Sequence, residues 1–181
     1  MFKQFLFLKK DLDMWNIRNL KDVFYTFFNL SIWATFFYRL SRFLFLINIP
    51  IIKYVFRLVS LILNLISEIL FGINLPASTD IGPGLYIAHI GNIVVHHNVK
   101  VGEKLRISHG VTIGQKGEGY DDSVPIIGDK VYIGAGAKVL GGIKIGDGVW
   151  IGANAVVIND LPKNVTAVGI PAKITKVRQN E

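Results

Sequence analysis

Across "IIGDKVYIGAGAKVLGGIKIGDGVWIGANAVVIND" an aliphatic residue returns at every sixth position: Ile127, Ile133, Val139, Ile145, Ile151 and Val157. Four of these six are followed by glycine. A second set, Val131, Ala137, Ile143, Val149, Ala155 and Leu161, falls four residues after each of the first and is apolar or small throughout. Helices repeat an apolar face at about 3.6 residues and half-buried strands at about 2, so a period of six matches neither a helix nor a hairpin meander. The register extends backwards through Ile81, Ile87 and Ile93, slips by two residues, and continues at Val101, Ile107 and Ile113. It is then interrupted by "QKGEGYDDSVP", residues 115–125.

The rest of the chain has another composition. All 12 Phe lie between Phe2 and Phe71 and all 18 Gly between Gly72 and Gly169, which places a boundary near Gly72. We expect an α-helical region over 1–72 and the repeat domain, with a C-terminal tail, over 73–181. The absence of Cys excludes disulfides, thiolate metal ligation and a cysteine nucleophile, and fits a reducing, cytosolic setting. Residues 1–72 carry nine Lys/Arg against four Asp/Glu, so the basic excess belongs to the aromatic half. There it sits in strongly apolar helical sequence such as "VFYTFFNLSIWATFFYRLSRFLFL", which fits a membrane surface better than nucleic acid.

The longest uncharged run, Val23 to Tyr38, falls short of the roughly 20 apolar residues of a spanning helix. The start "MFKQFLFLKKDLD" regains charge at Lys9 without a small-residue cleavage site, so no secretory signal is expected. A further helix is predicted from a cap at Asn48, with Pro50 in its first turn and Gly72 at its end. Apolar residues recur along it at Ile51, Val55, Leu58, Ile62, Leu65 and Ile69. In-plane membrane attachment is the leading reading of this half, with subunit packing as its rival and true spanning third.

The hexad pattern resembles that of the hexapeptide-repeat acyltransferases over residues 73–175. The resemblance implies a mainly β fold, a left-handed parallel β-helix with three short strands per coil. With three hexads per coil, Ile87, Ile107, Ile133 and Ile151 stack in one column, and two places on come His89, His109, Ala135 and Ala153. The two histidines then lie in adjacent coils about 4.8 Å apart. Because later coils carry alanine there, the imidazoles are predicted to face outward into a groove.

"IAHIGNIVVHHNVKVG" with "ISHGVTIGQ" resembles the serine acetyltransferase branch and, more nearly, polysaccharide O-acetyltransferases of the colanic-acid type. "ISEILFGINLPASTDIGPG" resembles the helix exit of the latter. This implies an acetyl-CoA-dependent O-acetyltransferase with His89 as general base and His109 beside it as the second catalytic residue. Imidazole, which titrates near 6.5, takes the acceptor's proton as the hydroxyl attacks the thioester and returns one to the CoA thiolate. Direct transfer needs no protein nucleophile, in keeping with zero Cys. Backbone N–H groups near Gly114 are expected at the oxyanion, and a backbone carbonyl is expected to orient His89. The same resemblance assigns Ala135, Gly136 and Ala153 to the pantetheine arm and Lys173, in "VGIPAKI", to the nucleotide end. Lys138, Lys176 and Arg178 are further candidates for its phosphates.

Departures from the serine enzymes set the predicted acceptor. Those enzymes place a carboxylate where this chain has Asn74, another acid where it has Ala88, and an Arg-His pair where Ser123-Val124 precede Pro125. Charged hydrogen bonds are worth about 1.5–3 kcal/mol each, so a site without both countercharges is expected to bind serine poorly. The expected acceptor is a sugar hydroxyl of a capsular polysaccharide, exopolysaccharide or lipid-linked precursor, read by Asn74, His109, Gln115, Tyr120 and Asp122. The alternatives are serine O-acetylation for cysteine biosynthesis and a non-catalytic membrane-bound scaffold.

No metal is expected, since His96 and His97 are not in evident register with His89 and His109. No nucleic acid partner is expected either. The resemblance further implies a homotrimer, with the loop around Gly117–Ser123 reaching toward a neighbour. The expected location is cytoplasmic, peripheral on the inner face of the cell membrane.

Overall fold

The computed structural model describes residues 3–117 and 121–178. Four helices come first: α1 (Lys3–Asp13), α2 (Leu20–Phe28), α3 (Leu30–Phe45) and α4 (Ile52–Phe71). The run Val23–Tyr38 is divided between α2 and α3 at Asn29, whose side chain accepts from the Ser31 N–H and caps α3. Asn19 forms a reciprocal capping box with Asp22 at the start of α2. The predicted cap at Asn48 is not used: α4 starts after Ile51, which has φ 67° and makes no side-chain cap. Gly72 does end α4, in the left-handed conformation (φ 65°) that a Cβ disfavours.

The first coil of the repeat domain is β1 (Ile73–Asn74), β2 (Asp80–Ile81) and β3 (Tyr86–Ile87); the second is β4 (Ile93–Val95), β5 (Lys100–Val101) and β6 (Arg106–Ile107). The third is β7 (Thr112–Gly114), β8 (Ile126–Ile127) and β9 (Tyr132–Ile133), and the fourth β10 (Lys138–Leu140), β11 (Lys144–Ile145) and β12 (Trp150–Ile151). β13 (Val156–Val157) and β14 (Val165–Val168) begin the fifth, and β15 (Lys173–Val177) folds back antiparallel on β14. Every third strand stacks in parallel, which gives three flat faces: β1-β4-β7-β10-β13, then β2-β5-β8-β11, then β3-β6-β9-β12-β14. The result is the expected mainly β prism. The hexad residues fill its interior, Ile87, Ile107, Ile133 and Ile151 in one column with none more than 1% exposed.

A coil stack leaves its end coil with unpaired backbone groups, and the helices close that end here. Arg39, 2% exposed, pairs bidentately with Asp11 (Nε–Oδ2 2.7 Å, Nη2–Oδ1 3.0 Å) and donates to the Ile81 and Gly82 carbonyls at 2.8 and 2.7 Å. Asp11 Oδ1 accepts from the Gly84 and Leu85 N–H groups at 2.8 and 2.7 Å. Arg42 donates to the carbonyls of Ala77 and Thr79 and pairs with Asp80. The Tyr38 hydroxyl donates to the Thr79 carbonyl at 2.8 Å and accepts from the Ile81 N–H at 3.3 Å; burial raises its pKa. Two of the nine basic residues of the aromatic half are therefore buried in this cap. Removing one partner of a buried, hydrogen-bonded pair leaves the other charge uncompensated. Asp11→Ala is expected to lower stability by about 3–5 kcal/mol in urea unfolding followed by circular dichroism.

Candidate active site

His89 and His109 occupy the corner between the face that holds β3 and β6 and the face that holds β4 and β7. Interior packing of Ile87 and Ile107 fixes the strands before that corner, and ladder bonds fix the turn itself. Ala88 N–H donates to Ile107 O (2.8 Å), Gly110 N–H to Gly91 O (2.8 Å) and Gly136 N–H to His109 O (2.9 Å). Both imidazoles are exposed, and their centroids lie 5.9 Å apart, edge to face. Among the described residues no backbone carbonyl is found accepting from the His89 ring, against expectation; its ring neighbour is His109. Up the same corner the column continues as Ala135, half-buried, and Ala153, exposed, so small side chains follow the histidines along it. Gly136 has a packing reason to be small, since a Cβ there would meet the Asn154 Oδ1 at 2.1 Å.

The adjoining face adds polar groups beside this corner. Asn74 and Val94 are register partners, as are Val94 and Thr112, and Thr112 and Lys138. At the lower end the Asn74 Nδ2 donates to the Glu68 Oε2 at 3.0 Å. Higher up, the Lys138 ammonium donates to Gly110 O at 2.6 Å and Thr112 Oγ1 at 3.0 Å, directly beside His109. The motif reading missed Glu68. The signal available was the single acid of α4, one turn before its glycine stop.

The other predicted residues lie elsewhere. Gly114 is buried at the end of β7, its absent Cβ facing the His96 Cβ at 3.4 Å. Gln115 and Asp122 are joined at 3.0 Å, near His96 and His97, whose rings stack at 4.1 Å. Three-residue β7 separates that group from the His109 corner, about 10 Å of extended chain. One chain therefore does not bring Gln115 and Asp122 to His89, and Tyr120 lies outside the described residues. Lys173 and Lys176 stand exposed on β15, whereas Arg178 stacks on the Trp150 ring at 3.7 Å. Among the described residues no three His, Asp or Glu side chains form a metal-binding group.

Residues 125–159 match the model of the bacterial transferase hexapeptide (six repeats). Serine acetyltransferase of Helicobacter pylori is 41% identical over 124 residues, 68% of this chain and 72% of that protein. The chain belongs to the serine acetyltransferase family. The chloroplastic serine acetyltransferase 1 of Arabidopsis thaliana is 46% identical over 120 residues, 66% of this chain but only 38% of that longer protein. A serine acetyltransferase of Brucella abortus, solved in complex with coenzyme A, superposes with a TM-score of 0.81 at 30% identity, over 95% of this chain and 67% of that one.

The left-handed β-helix and the acetyl-CoA-dependent acyltransferase class follow with membership of this family. The expected glycan acceptor does not. Relatives of 40–46% identity are serine acetyltransferases, which overturns both the colanic-acid-type assignment and polysaccharide acetylation. Positions 74, 88 and 123–124 do lack the charges of the serine enzymes, but a carboxylate reaches Asn74 from another element, that of Glu68 at the end of α4.

Burial, and then the neighbouring His97, lower the pKa of His96, while Asp122 acts in the opposite sense. The unfolded chain therefore binds a proton here first. The stability associated with neutral His96 is lost as pH falls below about 6.5 toward its lowered folded value. Proton NMR titration is expected to place His96 below an ordinary histidine, and His97→Ala is expected to move it upward without restoring it completely.

Proposed function

We propose that this chain is a serine O-acetyltransferase: it transfers the acetyl group of acetyl-CoA to the hydroxyl of serine by direct attack. The observation that carries the reading is the exposed His89, edge-on to His109, at the foot of a corner that continues in alanines. His89 takes the proton of the serine hydroxyl as that oxygen bonds to the acetyl carbonyl carbon. The carbon–sulfur bond then breaks, and the imidazolium gives its proton to the departing thiolate. His109, in ring contact with His89, holds its plane. The small side chains of Ala135 and Ala153 suit a flexible pantetheine arm, and Lys138, bonded to Gly110 O, stands next to His109.

Glu68, oriented by Asn74, is the group suited to the serine ammonium, since a carboxylate makes charge-assisted hydrogen bonds to a cation. His89, His109 and Ala153 are exposed in one chain, which supports a trimer in which a neighbouring prism covers them. Gln115 and Asp122, remote from His89 of their own chain, are then available to a neighbour's cleft.

Thiol release from acetyl-CoA with L-serine tests the assignment. His89→Ala is expected to lower kcat by about 10²–10⁴-fold with CoA binding retained. Glu68→Gln is expected to raise the KM for serine by about tenfold or more, with a smaller change in kcat. Thiol release that ignores serine, or that survives His89→Ala, would overturn the reading.

A further inference from the structure

The helices are built with their polar residues inside. α3 buries Ser31, Thr35, Arg39, Ser41 and Arg42 beside Ala34 and Tyr38, and α4 buries Ser60 and Ser67 beside Phe71. The Ser41 hydroxyl meets the Ser60 hydroxyl at 2.9 Å where the two helices pack. The outward arc of α4 is apolar, with Val55, Leu58, Leu61, Ile62, Leu65 and Ile69 all exposed. A helix on a water-soluble core shows the reverse order. Small residues and hydroxyl pairs between helices, with aliphatic residues outside, are the packing used where the surroundings are as apolar as leucine.

The exposed face continues around the module. Among the described residues, 24 large apolar side chains are exposed before Gly72 and 7 after it, so the excess belongs to the helices and not to the prism. α2 buries no residue, and beside it an apolar groove of about 410 Å³ runs between Leu8, Leu12, Val23, Phe27, Trp33 and Phe36. Lys3, Lys9, Lys10, Arg18, Lys21 and Arg57 are exposed around these faces, against Asp13 and Glu68 as exposed acids.

We propose that α1–α4 are immersed in one leaflet of an anionic lipid bilayer, with the prism on the aqueous side. The charge decides between occupants. A second copy would bring the same cations against these, whereas anionic headgroups complement them. α4 is about 30 Å long, enough to span, but it packs along α3, and α3 is bonded through Arg39 and Arg42 to the first coil. Immersion in the plane keeps those bonds.

Flotation of the purified full chain tests this, with phosphatidylcholine vesicles that contain or lack about one-third phosphatidylglycerol. The wild type is expected to float with the anionic vesicles and at least about tenfold less with the neutral ones. A double substitution on the outer arc, Leu58→Glu with Leu65→Glu, is expected to leave the protein in the aqueous layer. Serine-dependent thiol release should be kept, which separates this proposal from the catalytic one. Brominated anionic lipids should also quench wild-type tryptophan fluorescence through Trp33, a measurement that needs no variant. The proposal is overturned if the wild type stays in the aqueous layer, if neutral and anionic vesicles capture it equally, or if the double substitution splits a larger assembly of copies without affecting flotation.

Discussion

The carboxylate of Asp11 and the guanidinium of Arg39 hold the two halves of this molecule in one geometry. A stack of coils has no natural end, because each coil offers its next neighbour a row of carbonyls and amides. Here the first coil meets two arginines, a tyrosine hydroxyl and a carboxylate instead. The buried charges of Asp11, Arg39 and Arg42 complete their hydrogen bonds on backbone groups of residues 77–85, which they satisfy at the open end of the stack. This closure sets where α4 can leave the helical module. That exit, at Gly72, brings Glu68 against Asn74 beside the histidine corner.

The prism was legible in the sequence because its constraint is periodic. A side chain that points inward at every sixth position must be apolar, and one error of register would turn the whole column outward. That rule placed His89 over Ile87 and His109 over Ile107 and sent both rings outward, as the coordinates do. The aperiodic features were not legible. Asn48 has the composition of a cap, but the chain enters α4 through Ile51, and no local pattern encodes that choice. Arg39 and Arg42 read as surface charge in an aromatic helix because their partners lie about forty residues away in another element.

The acceptor shows the same limit at the level of chemistry. Three positions of the motif lack the charges found in the serine enzymes, and the motif alone therefore argues against serine. A site requires a charge at a point in space, and any element that passes that point can supply it. Glu68 comes from a helix that ends before the first coil begins, six residues from Asn74 in sequence and 3.0 Å from it in space.

The two halves also obey opposite burial rules, and the end cap makes that opposition mechanical. The prism encloses isoleucine and valine, whereas the helices enclose serine, arginine and aspartate and turn phenylalanine and leucine outward. Were the halves joined by a flexible linker, whatever covers the helices would have no bearing on catalysis. They are joined instead by the bonds of buried Arg39 and Asp11 to backbone groups of residues 81–85, by the Arg42–Asp80 pair and by a helix that runs into β1 through one glycine, so they cannot rotate independently without breaking those bonds. On the proposal that a bilayer receives the helices, its surface would therefore set the orientation of the corner bearing His89.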